Sequence, residues 1–179
     1  MKTFSANGYR LTTASPNLRL VLTLFLLFTL LGYATNLVLT YRQTGFSIDG
    51  ITSYYRGTVD ASGEVITYPK SATELLMNAH FHLFMMPLTL LVLCHVFYMV
   101  SVSDGLKRAL TWLSFAGVLL EIAGPWGVRF LSAGMAPVLL LGHFLLAGTL
   151  ALLILGPLYE LWARPHVPAV NGGGRGPHP

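Results

Sequence analysis

The chain has 179 residues, of which 54% are hydrophobic and only 10% are charged, and its mean hydropathy is +0.62. This composition is typical of an integral membrane protein and excludes a soluble domain covered by charged side chains. The formal net charge of +4 comes from cations that flank apolar segments. It indicates attraction to anionic lipid and no binding of nucleic acid. The single cysteine, Cys94, excludes an intrachain disulfide.

Four apolar segments are long enough to span a bilayer. A hydrocarbon core about 30 Å thick requires roughly 20 apolar residues in a helix. The four segments cover about residues 18–41, 73–102, 107–123 and 136–162. The first is too long for a cleavable signal, and the preceding "SPN" supplies a capping Ser15 and a first-turn Pro16. We predict an all-α fold, an integral membrane four-helix bundle in contact with the lipid bilayer.

A small extracytoplasmic loop, residues 42–72, is predicted between the first two helices. Its glycines and aromatic residues indicate an ordered hairpin or helical cap, and "GEVITYP" has the composition of a short strand. We expect other membrane or extracytoplasmic subunits to bind through this loop. The segment 164–179 is rich in proline and glycine and is predicted to be a disordered tail.

The distribution of lysine and arginine predicts the orientation. Seven cations fall on the side of the termini (Lys2, Arg10, Arg19, Lys107, Arg108, Arg164 and Arg175) and four on the other side (Arg42, Arg56, Lys70 and Arg129). Cytoplasmic segments of membrane proteins carry the excess of these residues. We predict a protein of the bacterial inner membrane with both termini in the cytoplasm.

Ionisable residues of three predicted helices share one depth. At about 1.5 Å per residue, His80 and His82 lie roughly 10 to 14 Å below the outer end of the second helix. His143 reaches a similar depth, and Glu121 lies just inside the outer end of the third helix, which "GPWG" is expected to break. Because an ionisable group in the bilayer is costly, this set predicts a functional site in the outer third of the membrane.

Haem ligation is the first interpretation of this set. A b-type haem needs two imidazoles at one depth on facing helices, and His143 with His82 meets that requirement. His80 is the substitute for His82, because residues two apart on a helix diverge by about 200°. Asn78, one turn above His82, is placed to orient it, and Gly142, Ala147 and Gly148 would admit the ring. We predict an electron-transfer or redox-anchor subunit with one haem b near the outer face. The architecture is similar to that of four-helix membrane cytochrome b subunits, a likeness of fold and not of sequence.

Two alternatives stay open. A compact centre of His80, His82, His143 and Glu121 would suit iron, copper or zinc, provided that Pro87 bends the helix enough to bring both neighbouring histidines together. The other alternative is a noncatalytic scaffold or assembly subunit with no cofactor, in which the histidines donate to carbonyls of neighbouring helices. Glu160 is predicted to lie at a solvated helix end.

Overall fold

The computed structural model describes residues 11–163, so the predicted tail at 164–179 lies outside the described residues. Within them the chain forms five α-helices and one hairpin, in the order α1 (Pro16–Thr44), α2 (Ile48–Arg56), β1 (Thr58–Val59), β2 (Val65–Thr67), α3 (Ala72–Tyr98), α4 (Asp104–Trp126) and α5 (Ala136–Trp162). The helices α1, α3, α4 and α5 are long and apolar enough to cross a membrane. The predicted four-span helical fold is confirmed.

Local capping determines where the long helices begin. The hydroxyl of Ser15 accepts a hydrogen bond from the amide of Leu18, as the "SPN" signal predicts for α1. At α3, Ser71 and Glu74 form a capping box in which each side chain binds the backbone amide of the other residue. These contacts satisfy amides at the helix N-termini that have no partner within the helix.

The predicted break of the third helix at "GPWG" is wrong. The helix α4 continues through Pro125 to Trp126 and then widens into a π-helical turn over Gly127–Leu131. Proline lacks an amide donor and crowds the preceding turn, and a π-helical turn is one way for a helix to absorb that disturbance without ending. The helical chain therefore continues past Pro125 as far as Leu131.

The second spanning helix ends earlier than predicted, at Tyr98 instead of residue 102. The chain leaves the helix because Ser101 is held by α5: the amide and hydroxyl of Ser101 donate to the carboxylate of Glu160 at 2.8 and 2.7 Å. Glu160 is only 1% exposed, so the prediction that it lies at a solvated helix end is also wrong. It ties the α3–α4 connection to α5.

The loop after α1 folds into both of the elements considered for it. Helix α2 is amphipathic and buries Ile51 against Val128 and Leu139, which places α2 across one end of the bundle. The following hairpin pairs Thr58 with Thr67 in antiparallel register. The loop is therefore an ordered cap and not a linker.

Glycines allow α4 and α5 to pack closely along their lengths. A Cβ atom on Gly142 would lie 2.7 Å from the Cβ of Leu120, and one on Gly117 would lie 3.1 Å from that of Leu146. Small residues at such positions let membrane helices approach until their backbones are nearly in contact. Gly142 therefore serves helix packing, and the prediction that it admits the edge of a haem is wrong.

We predict that Gly142→Val destabilises the protein by about 1–3 kcal/mol, the usual cost of overpacking a tight interface. The control is Gly148→Val on the same helix, because a Cβ atom at Gly148 meets nothing within 4 Å. Both changes place the same β-branched side chain in α5. Thermal unfolding in detergent should show a lower midpoint for the first variant only, and equal midpoints would contradict the packing role.

Helix α1 is the least integrated of the four spans. In its most apolar window only 6% of residues are buried, against 44% in α5. It packs on α2 and α5 and makes few contacts with α3. Near its start, the Arg19 guanidinium donates to the carbonyl of Leu161 and stacks over Trp162, with 5.3 Å from its central carbon to the ring centroid. A gap between α1 and α3 follows from this arrangement.

The predicted orientation can be tested by labelling. In a Cys94→Ala background, cysteine at the exposed position Ser62 of the hairpin turn should react with an impermeant thiol reagent added outside intact cells. Cysteine at the exposed position Ser103, which begins α4, should react only after the membrane is opened. The reverse pattern would place the termini outside and the cap inside.

Candidate intramembrane site

One pocket of about 210 Å³ lies where the gap between α1 and α3 meets α2. Three of the four ionisable residues singled out in the sequence line it, namely His82, Glu121 and His143. They come from α3, α4 and α5, so three helices supply the chemistry of one site.

His143 is held by Glu121 through one ring nitrogen. The Nδ1 atom of His143 and the Oε1 atom of Glu121 share a hydrogen bond across the α4–α5 interface. With the carboxylate as acceptor, Nδ1 is the donor, and a neutral ring then has its lone pair on Nε2. Among residues 11–163 no group pairs with that Nε2, although it is buried and His143 is only 7% exposed. The site thus holds an imidazole whose orientation is set on one side and whose other nitrogen is unpaired.

His82 has the same arrangement on α3. Its Nδ1 lies 2.9 Å from the backbone carbonyl oxygen of Asn78, one turn earlier. Because a carbonyl can only accept, Nδ1 carries the proton and Nε2 carries the lone pair. The backbone carbonyl of Asn78, and not its side chain, therefore orients the ring of His82.

The cap supplies one end of the pocket. Tyr54 and Tyr55 of α2 and the loop residue Lys70 line it. The Lys70 ammonium donates to Glu74 at 3.0 Å and lies 4.9 Å from the ring centroid of Tyr54. The hydrogen bond to Glu74 raises the pKa of Lys70, so the ammonium stays charged at neutral pH. Burial raises the pKa of Tyr55, which keeps its phenol protonated and able to donate.

The wall formed by α1 is polar where it faces the pocket. Asn36, Thr40 and Gln43 line it from this helix, and the apolar contributions are Leu39 of α1 and Leu75 of α3. Polar side chains inside a membrane helix are costly unless they meet a partner or a cavity. Their position on the pocket accounts for their presence in an otherwise apolar helix.

The fourth predicted residue, His80, does not join this set. It is exposed and does not line the pocket, as the 200° divergence from His82 requires. His95 is also exposed, farther along α3. Within residues 11–163 no group of three or more histidine, cysteine, aspartate or glutamate side chains could hold a metal ion. The helix α3 is continuous through Pro87, so it does not assemble the compact four-ligand centre.

Four apolar spans define an integral membrane protein, and a polar pocket lies among its helices under an ordered cap. The chain belongs to the Aq_1264_TM family of transmembrane helical domains, whose family model matches residues 45–168. The match covers Lys70, His82, Glu121 and His143, and it begins where α1 ends. No curated protein and no solved structure matches the chain.

Sequence reasoning missed the residues that α1 and the cap contribute to the pocket. Lys70 was counted only as an outer cation, and Tyr54 and Tyr55 only as part of an aromatic loop. Nothing local in their sequence shows that α2 folds back over the bundle. The one available signal was the polar set Asn36, Thr40 and Gln43, whose spacing of three or four residues places them on one face of a membrane helix.

Proposed function

We propose that this protein is a membrane electron-transfer or redox-anchor subunit that binds one haem b near the outer face, with His82 and His143 as the axial ligands. When bound, the haem supplies one-electron transfer. The chain supplies the two imidazoles, their orientation, and a polar outer end that excludes lipid from the pocket.

The observation that carries this proposal is the unpaired Nε2 atom of His143. An unsatisfied buried nitrogen costs about 1–3 kcal/mol, so native proteins rarely retain one without a ligand or another use. Its partner nitrogen is held by Glu121, the carboxylate–imidazole arrangement that orients metal-binding histidines and raises their basicity. Both features are expected of an axial ligand.

His82 supports the same assignment. It lines the same pocket from the opposite helix and also keeps Nδ1 occupied and Nε2 available. Two imidazoles with free Nε2 atoms at one site match the ligand set of a b-type haem.

A macrocycle at this site requires α1 to move away from α3. The pocket holds about 210 Å³, below the roughly 300–1,000 Å³ of pockets that enclose drug-sized ligands. The low burial of α1 supports such a movement, because only 6% of the residues in its most apolar window are buried.

The absorption spectrum of the purified, detergent-solubilised protein tests this function. Cells supplied with a haem precursor should yield protein with a reducible Soret band and one haem per chain. A protein with neither porphyrin nor metal by elemental analysis would overturn the proposal, and a metal without porphyrin would favour a non-haem centre.

Changing Glu121 separates an orienting role from a ligand role. Glu121→Gln keeps an acceptor for His143 Nδ1 but removes the negative charge, so we expect haem to be retained with a higher midpoint potential. Glu121→Ala removes the acceptor and should weaken haem affinity roughly 10–100-fold. Redox titration and haem titration measure these effects. Loss of the haem or metal in the glutamine variant would indicate that Glu121 is itself a ligand.

The second candidate is a noncatalytic scaffold or assembly subunit. The hairpin supports it, because Val59, Ile66 and the adjoining Tyr68 are 63%, 68% and 79% exposed. Exposed apolar side chains clustered in one small element mark a surface for a partner. Under this proposal other membrane or extracytoplasmic subunits bind the 42–72 loop, and a cofactor-free protein that co-purifies with such a subunit would support it.

A further inference from the structure

We propose that the pocket between α1 and α3 binds the headgroup of a membrane quinol, whose hydroxyls donate to His82 and Glu121 and whose apolar tail stays in the lipid. This inference goes beyond the proposed function and does not rest on haem binding. It uses the pocket in the form that the structure shows, with α1 in place.

Two apolar helices present polar faces to the pocket. Six polar residues line it from these helices at spacings of three or four: Asn36, Thr40 and Gln43 on α1, and Glu74, Asn78 and His82 on α3. Such spacings place each set on one face of its helix. Asn36 lies about 12 Å before the end of α1, and His82 lies about 15 Å after the start of α3. Polar groups this far along a spanning helix are costly unless they meet a partner or a cavity.

The side-chain amides of these faces have no protein partner. In the part of the chain that the structure describes, no hydrogen bond joins the side chain of Asn36, Gln43 or Asn78 to another group. All three residues are exposed where α1 and α3 separate. Because an amide both donates and accepts, the three together suit a polar ligand that carries oxygen atoms.

The charged groups of the pocket pair with one another, which favours a neutral ligand. The Lys70 ammonium donates to Glu74 at 3.0 Å, and Glu121 shares a hydrogen bond with Nδ1 of His143. A charged headgroup would have to break one of these pairs to gain a counter-ion, and removing one partner from a buried pair is costly. A neutral headgroup leaves both pairs intact.

His82 and Glu121 favour a hydroxyl over a carbonyl. Nδ1 of His82 donates to the carbonyl of Asn78 at 2.9 Å, so Nε2 of the neutral ring can only accept. The Glu121 carboxylate also accepts only, and it has lone pairs beyond the one that His143 uses. A quinol supplies hydroxyl donors to both groups, whereas a quinone offers them only acceptors. The reduced form should therefore bind more tightly.

The size and the lining of the pocket suit a single substituted ring with a tail. Its volume of about 210 Å³ is below the roughly 300–1,000 Å³ that encloses a drug-sized ligand, so only a headgroup is enclosed. Tyr54 and Tyr55 line the cap end and offer aromatic edges and faces to such a ring. The apolar lining residues, Leu39 and Leu75, lie on α1 and α3, and Leu39 is 53% exposed. A tail that leaves the pocket beside Leu39 reaches the lipid.

Calorimetric titration of the full-length protein in detergent, under anaerobic conditions, tests the recognition of the headgroup. The ligands are a decyl-tailed quinol, its quinone and its dimethyl ether, which keeps the ring and the tail but lacks the hydroxyl donors. We expect the quinol to bind roughly tenfold more tightly than the ether or the quinone, the value of a hydrogen bond to a charged group. Equal affinity for the quinol and the ether would overturn the inference. Equal affinity for a quinol without a tail would overturn its assignment to a membrane ligand.

Two variants locate the binding site. His82→Leu removes one acceptor and should reduce the preference for the quinol over the ether. Asn36→Leu removes an amide from the α1 wall, leaves both histidines in place, and should weaken quinol binding several-fold. The control is Thr35→Leu, because Thr35 is the exposed neighbour of Asn36 on α1 and does not line the pocket. Quinol binding that is the same in all three variants and the wild type would overturn the inference.

The absorption spectrum of the same preparation separates this inference from the haem proposal. Protein that contains haem but does not bind the quinol would overturn the inference alone. Protein that binds the quinol with the expected preference, and contains neither porphyrin nor metal, would support the inference and overturn the haem proposal.

Discussion

Replacing His143 with alanine is expected to abolish haem retention. His143 is the buried imidazole held by Glu121, and no other described residue of α5 offers a nitrogen ligand to the pocket. Because bis-histidine ligation needs both rings, loss of one should release the haem during purification. The pyridine haemochrome content per milligram of protein measures the loss.

The other histidines provide matched comparisons on α3. His82→Ala should also lose haem, whereas His80→Ala and His95→Ala should retain it, because neither His80 nor His95 lines the pocket. Equal loss from His80→Ala and His82→Ala would contradict the assignment of His82 alone. Unchanged haem content in all four variants would show that these histidines are not ligands.

Replacing Glu160 with alanine is expected to lower stability by about 2–3 kcal/mol. The change removes two hydrogen bonds from Ser101 to a buried carboxylate and leaves a partly buried backbone amide without its acceptor. Since these contacts tie the α3–α4 connection to α5, the midpoint of thermal unfolding in detergent should fall.

The control for Glu160 is Asp104→Ala, near the same end of the bundle. Asp104 has an 88% exposed side chain, 3.8 Å from the buried Lys107, which keeps its hydrogen bond to the carbonyl of Tyr98 when Asp104 is removed. The midpoint of thermal unfolding of Asp104→Ala should stay close to that of the wild type. A similar midpoint for both variants would mean that Glu160 behaves as the solvated residue that the sequence suggested.

Prediction from the sequence succeeded where short-range physics decides. Ser15 caps α1 because hydroxyl capping is a local hydrogen bond. Prediction from the sequence failed at Glu160, because its partner Ser101 lies 59 positions away in the chain. It also failed at Pro125, because the π-helical turn that follows lets the helix continue. The burial of a charge and the continuation of a helix depend on neighbours that a local pattern does not contain.

For the site, the sequence by itself determined depth and residue type. Helical rise fixes how far His82 and His143 lie from the starts of their helices, and this is a property of each helix alone. Glu121 lies farther from the end of its helix than predicted, because α4 does not break at Pro125. Tertiary structure decided which way each side chain points, because packing sets the rotation of a helix about its axis. The close contact of Gly142 with Leu120 is one such packing contact between α5 and α4. It alone placed Lys70 over the pocket, because only the contacts of the cap with the bundle bring that loop residue to the histidines.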